Sequence, residues 1–159
     1  MTDKEKIVQV LKRHQWVIDE QSKGLTHADS LLQLPFRSNR FNWIIGHIVV
    51  YRDKMLALMK EPSVLGSKES EIYRRGSEPL TTGHDAVELS TLLESTRESL
   101  ERLTTAIGFN SKDVLEEIHD EEHGTTIQDR LEFLVWHETY HLGQLEILRQ
   151  LAGKDDAII

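Results

Sequence analysis

The chain of 159 residues contains no cysteine. This absence excludes disulfide bonds, thiolate metal ligands and a cysteine nucleophile, and it is typical of proteins from a reducing cytosol. Only 3 prolines and 9 glycines interrupt the sequence, so it has room for long regular elements. Long apolar runs are missing as well, and none approaches the roughly 20 residues that a transmembrane helix needs.

Positive charge is also scarce, since 19 lysines and arginines stand against 27 acidic residues, for a net charge of −8. Nucleic-acid-binding proteins usually carry a basic face, so this balance disfavours DNA or RNA as a partner. The first residues, MTDKEKIVQVLKRH, place charges where a signal peptide needs an apolar stretch. We therefore expect a cytoplasmic protein with no membrane partner.

Apolar residues recur with helical spacing in four segments. This pattern predicts an all-α fold, a four-helix bundle, that forms a single domain over residues 1–159. The predicted helices span residues 2–22, 38–60, 86–107 and 125–151.

Local signals predict where these helices begin and end. Thr2 and Glu5 have the spacing of a capping box at the first helix, and Thr125 with Gln128 predicts the same motif at the fourth. Gly108 is expected to stop the third helix.

The connection between the second and third helices, residues 61–83, exceeds the usual handful of residues. Extended, it reaches roughly 60 Å or more, against about 35 Å for the second helix. The third helix is therefore expected to run parallel to the second through a long crossover. The acidic connection 109–124 predicts either a short helix or a hairpin.

The most informative motif, HETYHLGQ, covers residues 137–144. His137 and His141 leave the same helical face about one turn apart, on a stripe that is expected to face the core with Phe133. Burying two imidazoles there is costly unless both are paired, which favours a shared divalent metal ion. A third ligand is needed, and His47 on the second helix is the best candidate. Three histidines leave a coordination position open for chemistry.

The remaining five histidines have weaker claims. His14 is expected to be a plain core histidine, with a fourth ligand or a proton carrier as alternatives. His27 and His84 flank loops, and His119 and His123 lie on an acidic face.

Two familiar metal motifs fit less well. The HExxH zinc proteases need a third ligand further downstream, where Ile147 stands, and a sheet-containing domain, which the predicted all-α fold does not provide. A di-iron carboxylate bundle needs two E-x-x-H motifs and further inward glutamates. The helices that carry the histidines are expected to have no inward glutamate.

With these motifs the chain resembles the DinB/YfiT-like family of metal-binding four-helix bundles. The resemblance rests on NWIIGHI at residues 42–48 and HETYHLGQL at residues 137–145. It implies a zinc or nickel ion held by His47, His137 and His141, and frequent homodimers. It also implies a metal-dependent thiol S-transferase or hydrolase that acts on a small electrophilic substrate. Since the chain has no cysteine, any thiol must come from a low-molecular-weight cosubstrate.

Further residues have candidate roles near such an ion. Glu138 could accept a proton as a catalytic residue, or it could orient a histidine. Arg130 could bind a carboxylate of the cosubstrate or form a surface ion pair, and Trp43, Tyr51 and Tyr140 could line an apolar substrate pocket. The alternative function is a non-enzymatic, stress-related bundle that binds metal, dimerises or senses a ligand.

Overall fold

The structure, a computed structural model, describes residues 2–78, 80, 85–109, 112–156 and 158, with the backbone alone at 112 and 113. Within these ranges the regular secondary structure is helical apart from one short hairpin. In chain order the elements are α1 (Asp3–Ser22), α2 (His27–Ser30), α3 (Phe41–Leu58), α4 (Ser67–Tyr73), α5 (Leu89–Phe109), α6 (Lys112–Glu116), β1 (Ile118–Asp120), β2 (Thr125–Thr126) and α7 (Ile127–Leu151).

The four long helices α1, α3, α5 and α7 form the predicted four-helix bundle. Both α1 and α3 pack against α5 and α7, which places α1 and α3 at opposite corners. The core between them contains fully buried side chains from every long helix, each contributing about 1.5–3 kcal/mol by its removal from water. Examples are Leu11, Met55, Leu103, Leu131 and Leu145.

The helices α3 and α5 run parallel, as the long crossover predicts. Near the start of both helices, Asn42 Nδ2 donates to the carbonyl oxygen of Val87 at 2.8 Å. Halfway along, Arg52 Nη1 donates to the carbonyl oxygen of Thr96 at 2.6 Å. The contacts advance together along both helices, so the crossover is confirmed, and α4 lies within it.

Capping boxes begin α1 and α7. The hydroxyl of Thr2 accepts a hydrogen bond from the Glu5 N–H at 3.3 Å, and the Thr2 N–H donates to the Glu5 carboxylate at 2.7 Å, as predicted. At α7 the box is formed by Thr126 and Asp129. The predicted start at Thr125 is wrong by one residue, because Thr126 is the threonine whose N–H and hydroxyl pair with the residue three positions on, Asp129.

Other boundaries also differ from prediction. The helix α3 begins at Phe41 rather than at residue 38 or 39, and α5 begins at Leu89 rather than at residue 86. Gly108 does not end α5, which continues to Phe109. The glycine's low helix propensity costs only about 1 kcal/mol, which packing of the helix outweighs.

The two alternatives for residues 109–124 are both realised, as the helix α6 and the antiparallel hairpin β1–β2. The prediction that Phe133 faces the core is wrong, since its side chain is 45% exposed. In the described part of the chain, every helix is too short or too polar to traverse a lipid bilayer.

Candidate metal centre

The structure brings the three predicted metal ligands together between α3 and α7. His47, His137 and His141 each offer one ring nitrogen, and these atoms lie within 4.8 Å of one another. The Nε2 atoms of His137 and His141 are 3.3 Å apart. In the described part of the chain the cluster consists of these three side chains, which we call the histidine cluster.

Hydrogen bonds fix the protonation of two of these rings. Nδ1 of His47 lies 2.6 Å from the carbonyl oxygen of Tyr73, and Nδ1 of His141 lies 2.9 Å from Oε1 of Gln144. Since both oxygens are acceptors, each Nδ1 carries the proton and each Nε2 presents a lone pair. Metal-binding histidines are usually held in this way by an acceptor behind the ring.

The third ring, His137, indicates that a cation fits the cluster. Its buried Nδ1 has no hydrogen-bond partner among the described residues. That holds for either tautomer, so the indication of a cation comes from Nε2, which faces Nε2 of His141 at 3.3 Å. If Nε2 carries the proton, it can donate to Nε2 of His141. If Nδ1 carries it, the lone pairs on Nε2 of His137 and His141 face each other. A divalent cation between facing nitrogens replaces this repulsion with two favourable contacts.

Burial keeps the imidazoles neutral. Desolvation lowers the pKa of His47 to about 4, against the opposing effect of its hydrogen bond to the Tyr73 carbonyl. Desolvation, together with the neighbouring His141, lowers the pKa of His137 to about 4, and desolvation also lowers the pKa of His141. The neutral ring is the form that binds a metal ion.

Aromatic rings pack around the histidine cluster. Trp43 stacks on His47 with ring centroids 4.5 Å apart, and Tyr51 stacks on His137 at 4.0 Å. Both aromatic side chains are buried, whereas Tyr140 is 59% exposed and contacts the cluster from its solvent side. The structure thus places all three predicted pocket residues against the cluster, two as packed walls and one at the surface.

Tyr73, which the sequence analysis missed, supports His47 from behind. Its ring packs on Gly46, where an added Cβ would lie only 2.4 Å from ring atoms. Its hydroxyl donates to Oδ1 of Asn42 and accepts from the Val87 N–H, both at 2.8 Å. The residue lies in the long crossover, where no periodicity could indicate it. Asn42 and Gly46, in contrast, belong to the NWIIGHI motif. Asn42 accepts the hydrogen bond of the Tyr73 hydroxyl, and Gly46 leaves room for the Tyr73 ring.

We expect Gly46→Ala to lower both stability and metal affinity. The Tyr73 ring is fully buried and would lie 2.4 Å from the added Cβ, and overpacking of this kind costs roughly 1–3 kcal/mol. Displacing the ring also moves the carbonyl that orients His47, a loss typically worth about 10–100-fold in metal affinity. Thermal unfolding and metal titration measure the two effects. Gly143→Ala is the matched control, because its added Cβ would meet no atom within 4 Å. Equal losses in both variants would contradict the role of Gly46.

Glu138 lies behind the histidine cluster and not within it. Its fully buried carboxylate accepts hydrogen bonds from Arg52, with Nη2 at 2.6 Å from Oε1 and Nε at 3.1 Å from Oε2. Nδ1 of His14 lies 3.3 Å from the same carboxylate. This placement gives no support to a catalytic role for Glu138 or to its orienting a histidine of the cluster. The expectation that the histidine-bearing helices have no inward glutamate is wrong.

The carboxylate of Glu138 is ionised despite its burial. Desolvation by itself raises the pKa of Glu138, but the charge of Arg52 and the contact with His14 outweigh it and lower the pKa below its usual range. A buried charge is retained only when it is paired in this way.

Arg52 and Glu138 are the centre of a buried polar network that joins all four long helices. From α3, Arg52 Nη1 donates to Gln15 Oε1 of α1 at 2.8 Å and to the Thr96 carbonyl of α5 at 2.6 Å. The guanidinium reaches Glu138 of α7 on its other side. The single arginine of α3, in a largely apolar helix, was the sequence signal for such a network.

The other predicted residues lie outside the cluster. His14 is a buried core histidine whose Nε2 lies 2.9 Å from the Thr139 hydroxyl. His123 is exposed and paired with Asp120, and His84 lies outside the described residues. Arg130 is on α7 about two turns before His137, with its guanidinium over the ring of Phe133.

Comparison with known proteins agrees with the fold of the chain. A model of the DinB superfamily matches residues 13–145, which is most of the chain. Among solved structures, a conserved protein of locus from Enterococcus faecalis is similar, with a TM-score of 0.74 and 17% sequence identity. That likeness covers 96% of this chain and 98% of the other, and at this identity it shows the fold alone. No curated protein matches the chain.

Proposed function

Because the chain belongs to the DinB superfamily and three of its imidazoles converge, we propose that it is a divalent-metal-dependent enzyme that transfers a small thiol to an electrophile. His47, His137 and His141 would hold the ion, which we propose to be zinc or nickel. The observation that carries the proposal is the set of three neutral nitrogen donors from two helices. Hydrolysis of a small electrophile at the same site is the alternative reaction.

The chain's own residues position the donors and shape access to them. The Tyr73 carbonyl and the Gln144 side chain hold two rings with their Nε2 atoms aimed inward. Trp43 and Tyr51 pack against the rings and exclude water on that side. His137 is only half-buried, so the cluster can be reached from its side.

The chemistry comes from the ion and from a cosubstrate. A divalent ion held by His47, His137 and His141 would keep its +2 charge on three neutral imidazoles, and it would lower the pKa of a bound water, toward about 7, or of a bound thiol. Since the chain has no cysteine, the sulfur must arrive with a low-molecular-weight thiol. The expected homodimer and cytoplasmic location stay predictions.

The thiol requirement gives a direct test. Protein loaded with zinc or nickel should consume an activated haloarene only when a small thiol is added, as measured by release of the halide. Metal-stripped protein and His141→Ala are the controls and should be inactive. Equal turnover without thiol would indicate hydrolysis instead, and metal binding with no turnover in either arm would indicate the non-enzymatic alternative.

A further inference from the structure

An open cleft of about 440 Å³ lies in the groove between the end of α3 and the start of α7, and none of the three clustered histidines lines it. Its charged lining consists of Lys54 near the end of α3, Lys60 two residues after that helix ends and Arg130 from the start of α7, with His119 of the hairpin beside them. Among the described residues no carboxylate lines this cleft. Such a collection of cations stands out in a chain with a net charge of −8.

Two of these cations lie next to aromatic rings that lead to His137. Lys54 Nζ lies 3.9 Å from the centroid of the Tyr51 ring, which stacks on His137. Arg130 Cζ lies 5.1 Å from the centroid of Phe133, whose ring is 6.4 Å from that of His137. The exposed Phe133 therefore lies between Arg130 of the cleft and His137 of the histidine cluster.

The third cation, Lys60, occupies an unfavourable backbone conformation. Its φ is +61°, in the left-handed region, and it is the single non-glycine with positive φ in the described chain. The described glycines with positive φ, such as Gly24 and Gly153, have no side chain to strain. A lysine thus stands where glycine would be more stable, and its side chain lines the cleft.

We propose that this cleft binds a carboxylate of the substrate or thiol whose reacting atom lies at the histidine cluster. The position of the reacting atom rests on the proposed function, whereas the anion preference does not. Arg130 precedes His137 by seven residues on α7, and Lys54 follows His47 by seven on α3. At 1.5 Å per residue both separations are about 10 Å along the groove. The ligand is therefore an extended molecule, with its carboxylate roughly that far from the reacting atom.

Two thiol probes of equal length show whether the cleft recognises the charge of a carboxylate or only the alkyl chain. These are ω-mercaptooctanoate and the neutral ω-mercaptooctanol, titrated by calorimetry into both metal-free and zinc-loaded protein. The triple variant Lys54→Gln/Lys60→Gln/Arg130→Gln is expected to bind the carboxylate probe roughly tenfold more weakly, because each exposed ion pair contributes only a small part of the binding free energy. Its affinity for the alcohol should stay within about twofold.

A second triple variant controls for net charge. Lys12→Gln/Arg13→Gln/Lys68→Gln removes the same charge from exposed positions that line neither the cleft nor the cluster. It should bind both probes like the wild type. If both triple variants lose carboxylate affinity equally, or if the wild type binds the two probes equally, the proposed cleft is overturned.

The metal-free arm separates this proposal from the proposed function. If the protein binds no zinc but still prefers the carboxylate probe, the metal site is overturned and the cleft stands. If the protein binds zinc but shows no preference for the carboxylate probe, the cleft alone is overturned. The single variant Lys60→Gly tests the cleft even if the triple variant does not fold. It should raise the melting temperature, by relieving the left-handed lysine, while it weakens carboxylate binding. An unchanged carboxylate affinity in Lys60→Gly would show that Lys60 does not contribute to carboxylate binding.

Discussion

Glu138→Ala is expected to lower the free energy of unfolding by roughly 3–5 kcal/mol, the usual cost of removing one partner of a buried ion pair. The substitution leaves the guanidinium of Arg52 fully buried without its carboxylate. It also removes the α7 member of the network that reaches Gln15 and the Thr96 carbonyl. Chemical denaturation of the metal-free protein measures the effect separately from metal binding.

The double variant Arg52→Met/Glu138→Leu tests the cause of this loss. It replaces both charges by apolar side chains of similar size, which is often close to neutral. We therefore expect it to be more stable than either single substitution. Glu71→Ala is the matched control, because its pair with Arg74 is exposed and worth at most about 1 kcal/mol. A loss at Glu138 no larger than that at Glu71 would contradict the role of the network.

The second large effect concerns His47→Ala, for which we expect metal affinity to fall by more than about a hundredfold. Loss of a partner behind a ligand typically costs 10–100-fold, and His47 supplies a ligand atom itself. The remaining pair, His137 and His141, would offer only two nitrogens from one helix. Titration against a competing chelator measures the affinity, and circular dichroism checks that the variant remains folded.

His123→Ala is the control for this substitution. It removes an imidazole that is exposed and paired with Asp120, away from the histidine cluster. Metal stoichiometry and affinity should match those of the wild type. Full metal content in His47→Ala, or equal losses in both variants, would reject the assignment of His47 as a ligand.

The parts of this fold that the sequence predicts are those fixed by short-range geometry. Thr2 and Glu5 form their capping box within three residues, and two histidines four apart must share a helical face. The start of α7 differs by one residue because two threonines stand side by side there, and only the structure shows that Thr126 forms the capping box with Asp129. The parallel path of α5 was predictable because the reach of a chain follows from its length.

The residues that lie behind the histidine cluster could not be predicted in this way. Tyr73 contacts His47 across 26 residues of sequence, from a helix inside the crossover. Glu138 meets Arg52 across 86 residues, so the geometry of one helix does not reveal that the carboxylate points to the core. Such contacts depend on how the helices pack, and only a structure locates them.

X-ray absorption spectroscopy of the zinc-loaded protein, purified without an affinity tag, tests the central claim most directly. The structure predicts one zinc ion per chain with three imidazole nitrogens at about 2.0–2.1 Å, and with one of these nitrogens missing in His47→Ala. A shell made of oxygen atoms, or the same three-nitrogen shell in His47→Ala, would contradict it.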